Sequence, residues 1–164
     1  MSDLSENPYG FIILLELVFQ CIVRSLYERL ALEGYDDIRL THGYALYRLN
    51  FSGATITELA KLLDMTKQGA SQLIDHLEQR NYVTRHPHPS DRRGKFVILT
   101  DRGRTCLHTM ETIFIQQEKN WTEQLGTTNM FDLRSNLSRL VNILNDGKPP
   151  EHLFFELTRH LDTF

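Results

Sequence analysis

Cysteine is scarce: Cys21 and Cys106 are the only two in 164 residues. Two thiols so far apart make neither a metal-binding motif nor a disulfide framework. The simplest setting for them is a reducing cytoplasm. No Gly-rich phosphate loop is present, since Gly94 and Gly103 stand alone, and no G-x-S-x-G elbow occurs. The histidines at 42, 76, 86, 88, 108, 152 and 160 contain no H-x3-H pair, the spacing that sets two metal ligands on one helix face. No catalytic residues, metal or cofactor are expected, and an enzyme is the weakest reading. Asp3 and Glu6 stand where a signal peptide carries Lys or Arg. The most apolar stretch is broken by Glu16, Gln20 and Arg24, so its runs fall well under the ~20 residues of a membrane span. Repeats and low-complexity segments are absent as well.

Nor is there a cationic excess, since the net charge is −3. Its distribution matters more. From Thr66 to Arg104 eight Lys and Arg (67, 80, 85, 92, 93, 95, 102, 104) face four acids (75, 78, 91, 101), giving +4. The remaining ten cations and seventeen acids give −7. A basic stretch on an acidic body is the electrostatic footprint of a nucleic-acid face.

That stretch has internal order. Thr55-Ile56-Thr57-Glu58 is a capping box, and Ile56, Leu59, Ala60, Leu62 and Leu63 supply the apolar face of a short helix. Asp64-Met65 is a tight connection. Thr66 then caps a second helix whose stripe is Ala70, Leu73, Ile74 and Leu77. Lys67, Gln68, Ser71 and Gln72 crowd its first two turns on other faces. Amides pair with adenine edges, lysine with guanine edges or phosphate, and first-turn N–H groups with phosphate. This is helix-turn-helix spacing, although a plain helical hairpin shares it.

Asn81 suits the left-handed end of that second helix. Residues 82–86 and 95–99 have strand composition. Between them Pro87-His88-Pro89-Ser90-Asp91-Arg92-Arg93-Gly94 is expected to be neither helix nor paired strand. A helix-turn-helix followed by a hairpin with a cationic tip is a winged helix. Asp91 is placed to order one of the arginines through a carboxylate–guanidinium pair. His86-x-His88 reads as a polar loop or phosphate contact rather than a metal site.

Asp91-x-Arg93, five residues, then Leu99-Thr100-x-x-Gly103 resembles the MarR-family wing signature D-x-R-x5-L-T-x-x-G, and residues 56–85 resemble that family's helix-turn-helix and first wing strand. Asn81 stands where the family commonly has Gly. The resemblance implies a dimeric winged-helix transcription regulator, many of whose relatives are repressors released by small molecules. The DNA-binding residues are then Thr66, Lys67, Gln68, Ser71, Gln72, Arg85, Asp91, Arg92, Arg93 and Lys95. An effector pocket is implied where the dimerisation helices meet the winged domain. Arg24, His42, Tyr44, Tyr47 and Arg48 are its candidates, a set of cations and phenols that suits an aromatic or anionic ligand. A sensing role for Cys21 is disfavoured against a buried core thiol.

Outside the winged region the chain reads as helix. Residues 10–33 form one helix, apolar on nearly every side through Phe11, Ile12, Ile13, Leu14, Leu15, Leu17, Val18, Phe19, Ile22 and Val23. A small domain cannot surround it, so a second copy is expected to. A helix capped at Thr41 ends near Asn50. Thr100 caps a long helix from Asp101 to about Leu125. Residues 126–129 are expected to break the chain, and 130–145 form another helix with Phe131, Leu133, Leu137, Leu140, Val141 and Leu144 inward. Residues 151–164 are an amphipathic extra helix. The expected fold is mainly α with a small antiparallel β-wing: dimerisation helix and arm at 1–40, winged helix-turn-helix at 41–103, dimerisation helices at 104–164. The expected partners are double-stranded DNA and a second copy of the chain. A winged-helix protein-interaction module is the alternative.

Overall fold

The computed structural model describes residues 10–87 and 95–147. The chain divides into two compact units, Met1–Leu40 and Thr41–Phe164. The expected arm (1–9), the tip of the wing (88–94) and the C-terminal helix (151–164) lie outside the described residues.

The first unit is a single helix, α1 (Gly10–Leu32), with a structured exit. Its end is a Schellman motif: Tyr35 N–H donates to the Leu30 carbonyl (2.8 Å), Gly34 N–H to that of Ala31 (3.1 Å), and Gly34 takes φ +83°. Tyr27 then fastens the connection, its hydroxyl accepting from Leu40 N–H at 3.1 Å with the Arg39 guanidinium 5.2 Å above its ring. Leu26, Leu30 and Ile38 are fully buried, while every residue from Phe11 to Gln20 is exposed. By length and composition α1 reaches what a membrane span requires. The interruptions at Glu16, Gln20 and Arg24 therefore do not exclude a span, contrary to expectation. The core helix of a soluble protein has the same properties. Cys21 is exposed rather than buried, and Cys106 is the buried thiol.

The second unit holds α2 (Leu40–Ser52), β1 (Ala54–Thr55), α3 (Ile56–Leu62), α4 (Lys67–Gln79), β2 (Val83–Pro87), β3 (Lys95–Leu99), α5 (Asp101–Leu125) and α6 (Thr127–Leu144). Thr41 lies inside α2 instead of capping it. The antiparallel sheet has the order β1-β3-β2, with Ala54 opposite Val97 and Arg85 opposite Val97 on the other side. β1 has no counterpart in the sequence reading, because two residues carry no strand periodicity. Gly53 makes it possible: φ is +68°, and a Cβ there would stand 2.6 Å from the Phe96 ring and 2.7 Å from the Val97 carbonyl.

Pro87 belongs to β2, paired with Lys95, against the expectation that no paired strand would include it. Arg85 N–H points away from β3 to Glu78. By alternation Pro87, two residues on, also turns its missing donor outward on this edge strand.

The signature residues after the wing are explained by one close approach. Thr100 caps α5 by accepting from Gly103 N–H (3.1 Å), donates to the Asn81 carbonyl (2.6 Å), and gives its own N–H to the Tyr82 carbonyl (3.1 Å). A Cβ on Gly103 would stand 2.1 Å from that same Tyr82 carbonyl. Tyr82 is fully buried, with Arg102 stacked over its ring.

Only Gly126, at φ +86°, interrupts the last two helices, so the break is shorter than the four residues expected. α6 buries none of its residues, and its expected inward face stays largely uncovered: Phe131, Leu133, Leu137, Val141 and Leu144 are exposed and Leu140 is half-buried. Within one chain α6 is held to α5 by packing and by the Arg134–Glu118 ion pair.

Candidate nucleic-acid interface

The interface is built on α4 and the two elements that fix it. α3 begins with the capping box: Glu58 N–H donates to Thr55 Oγ1 (3.2 Å), and Thr55 N–H to the Glu58 carboxylate (2.7 Å). Asp64 makes the turn at φ +49°, a conformation that Asp tolerates better than most residues. Met65 N–H closes the turn on the Ala60 carbonyl (3.0 Å). Thr66 then caps α4 by accepting from Gly69 N–H at 3.1 Å. This cap alone is worth about 1 kcal/mol.

α4 is anchored by Ala70, Ile74 and Leu77, all fully buried. Those three residues fix its rotation. Lys67, Gln68 and Gln72 therefore face outward and are exposed, with Ser71 half-buried beside them. A cation, two amides and a hydroxyl thus share the outer side of the first two turns, next to the positive end of the helix dipole. Such a face can meet base edges and phosphates together.

Arg85 is placed differently from the expectation. Its Nη2 lies 2.6 Å from Asp75 Oδ1, its Nη1 pairs with Glu78 Oε2, and its backbone N–H donates to Glu78 Oε1 at 3.2 Å. The guanidinium is committed to two carboxylates of α4 rather than presented as a bare cation. Sequence reasoning passed over those acids, although the spacing of Asp75 and Glu78 sets them on one helix face. Lys95 opens β3 and is exposed. Asp91, Arg92 and Arg93 lie outside the described residues, as does His88.

The effector candidates are divided between the units. Arg24 lies on α1, beside an apolar groove lined by Phe19, Val23 and Tyr27, with Nη2 3.9 Å from Cys21 Sγ. His42, Tyr44, Tyr47 and Arg48 lie on α2. Two of them serve packing: His42 stacks on His76, and Tyr47 is buried with its ring edge-on to Phe51 at 5.1 Å. Tyr44 and Arg48 are half-buried. Among the described residues no group of three or more His, Cys, Asp or Glu could hold a metal ion.

Comparison with known proteins agrees with this geometry. The MarR family model matches residues 36–94. The chain is 29% identical over 98 residues to BadR, a transcriptional activatory protein of Rhodopseudomonas palustris, across 59% of this chain and 54% of BadR. It is 28% identical over 102 residues to the transcriptional repressor MprA of Escherichia coli, across 56% of this chain and 54% of MprA. It thus spans about half the length of each. Among solved structures, the transcriptional repressor CouR bound to a 23-mer DNA duplex superposes with a TM-score of 0.66 at 26% identity, over 86% of this chain and 96% of that one.

Proposed function

We infer that the chain belongs to the MarR family of winged-helix transcriptional regulators, whose model matches residues 36–94, and from that premise we propose that it is a repressor that binds a pseudo-palindromic operator as a homodimer in the cytoplasm and is released by a small ligand. Its relatives are regulators rather than enzymes. The outer face of α4 carries the DNA reading: Lys67, Gln68, Ser71 and Gln72 lie together there, while Ala70, Ile74 and Leu77 of the apolar stripe are buried on the other side and Leu73 is half-buried.

Support for a dimer comes from the exposed apolar residues of α1 and α6, too many for a soluble monomer to leave in water. Repression is the reading preferred from the family resemblance, and the similarity to both a repressor and an activator makes its sign a matter for experiment. Release by an aromatic or anionic ligand rests on the family resemblance, which implies an effector pocket. A protein-interaction module would need no polar reading face on α4, and the presence of one disfavours it.

The test is a binding titration on DNA from upstream of the protein's own gene against random DNA of equal length. Saturable binding with a specificity ratio above about 10³ supports the proposal. Equal affinity for both DNAs would sink it. Transcription in vitro from the bound promoter then decides repression against activation.

A further inference from the structure

Arg85 grips two carboxylates at once. Asp75 and Glu78 sit one turn apart on α4, and Arg85 stands in the middle of β2. The forked guanidinium reaches both acids, and Glu78 also accepts the Arg85 backbone N–H. That N–H is an outward donor of an edge strand, a group a sheet otherwise leaves to water. Two charge-assisted bonds and one backbone bond therefore join the second half of the recognition helix to the strand that carries the wing. The Arg85 side chain is only 17% exposed. At that burial the pair is screened less than a surface ion pair, and its geometry is better defined.

This join bears on DNA reading. A winged helix contacts DNA through α4 and the wing together, so the angle between them decides whether both seat at once. A misplacement of about 1 Å in a positioned group is costly in any preorganised site. The charge balance points the same way. Asp75 and Glu78 on the recognition helix would repel phosphate, and the Arg85 guanidinium between them offsets one of the two charges.

We propose that Arg85 is a positioning residue that fixes the wing strand on the recognition helix and acts on DNA only through that fixation, without contacting phosphate. The proposal rests on the DNA-binding reading above.

Two measurements test it. In the DNA-free protein, amide hydrogen exchange is followed at Arg85 and along β2 for the parent, Arg85→Lys and Arg85→Ala. Lysine keeps the charge but cannot fork to two carboxylates, so exchange in β2 rises in both variants. The second measurement is binding to operator and to random DNA across a salt series. Arg85→Lys lowers operator affinity about tenfold and leaves random DNA unchanged, because no charge is lost. Arg85→Ala lowers operator affinity without changing the counterion slope. Lysine restoring parental operator affinity, or alanine shallowing the slope by about one unit on both DNAs, would show a phosphate contact and overturn the proposal. Parental operator binding in both variants overturns it too. Should Arg85→Ala not fold, Arg85→Lys decides alone. A parent that binds neither DNA removes the DNA reading, and the exchange data then decide the fixation by themselves.

Discussion

The imidazole rings of His42 and His76 lie stacked, with centroids 4.6 Å apart and planes 14° from parallel. The contact ties α2 to the recognition helix. His76 Nε2 is buried with no hydrogen-bond partner among the described residues. A ring of similar shape without that atom keeps the stack and removes an unsatisfied polar group. His76→Phe is therefore expected to unfold in urea at the parental midpoint or above. His76→Ala should lose about 0.5–1.5 kcal/mol from the stack, with lost packing in addition. A His76→Phe protein weaker than His76→Ala would show that Nε2 has a partner and that the stack is incidental.

Gln72 and Lys67 should behave differently as alanine variants. Gln72 is exposed in the second turn of α4, where an amide can pair with an adenine edge. Gln72→Ala is expected to relax preference at particular operator positions by roughly 1–3 kcal/mol. Lys67→Ala, at the first residue of the helix, should weaken all sequences alike and shallow the salt slope by about one unit. Binding across a library of single-base operator variants checks both. Uniform weakening by Gln72→Ala would reduce it to a backbone contact.

The dimer is tested on α1. Val18 is 56% exposed in the single chain, so an aspartate there costs an isolated chain little. In a dimer it would bury an unpaired charge. Val18→Asp should sediment as a monomer at micromolar concentration and bind operator DNA poorly, while the parent sediments as a dimer on half-sites about 10 bp apart. A parent that sediments as a monomer yet binds fully contradicts the proposal. A parent that floats with liposomes instead assigns α1 to a bilayer.

At the wing tip, which lies outside the described residues, the expectation comes from sequence alone. Arg93 follows Asp91 by two positions, so by strand alternation the two are expected on one side of a hairpin and Arg92 on the other. A guanidinium held in advance by Asp91 loses less entropy on entering a narrow, electronegative minor groove. Arg93→Ala should lower operator affinity strongly and reduce the salt slope by about one counterion. Asp91→Ala should do so more weakly. With all variants checked for folding and dimerisation, a severe Arg92→Ala beside a parental Arg93→Ala would reverse the assignment.

Much of the fold was legible because its signals are local. The capping box at Thr55 and Glu58, the cap at Thr66, the left-handed Asn81 at φ +61° and the cap at Thr100 each involve residues within a few positions of one another. Such devices act through the nearest backbone groups, so residue type and spacing determine them. The stripe of Ala70, Ile74 and Leu77 likewise sets which face of α4 turns outward.

Contacts between distant segments decided the rest. β1 exists because β3 offers a second edge to Ala54 and Thr55. Pro87 enters β2 because its outward side needs no donor. The two carboxylates gripping Arg85 lie seven and ten residues away on another element, so no sequence spacing announces that the cation is already taken. Phe131 and Leu144 have the periodicity of an inward face, yet the single chain leaves both in water. Periodicity marks a face as apolar, and only packing determines what covers it. The sequence alone thus determined the two helices of the helix-turn-helix, the caps at Thr55, Thr66 and Thr100, and the outward polar face of α4. The tertiary structure decided which charged groups are already paired and which apolar faces one chain cannot bury, because both depend on residues that meet only after the chain has folded.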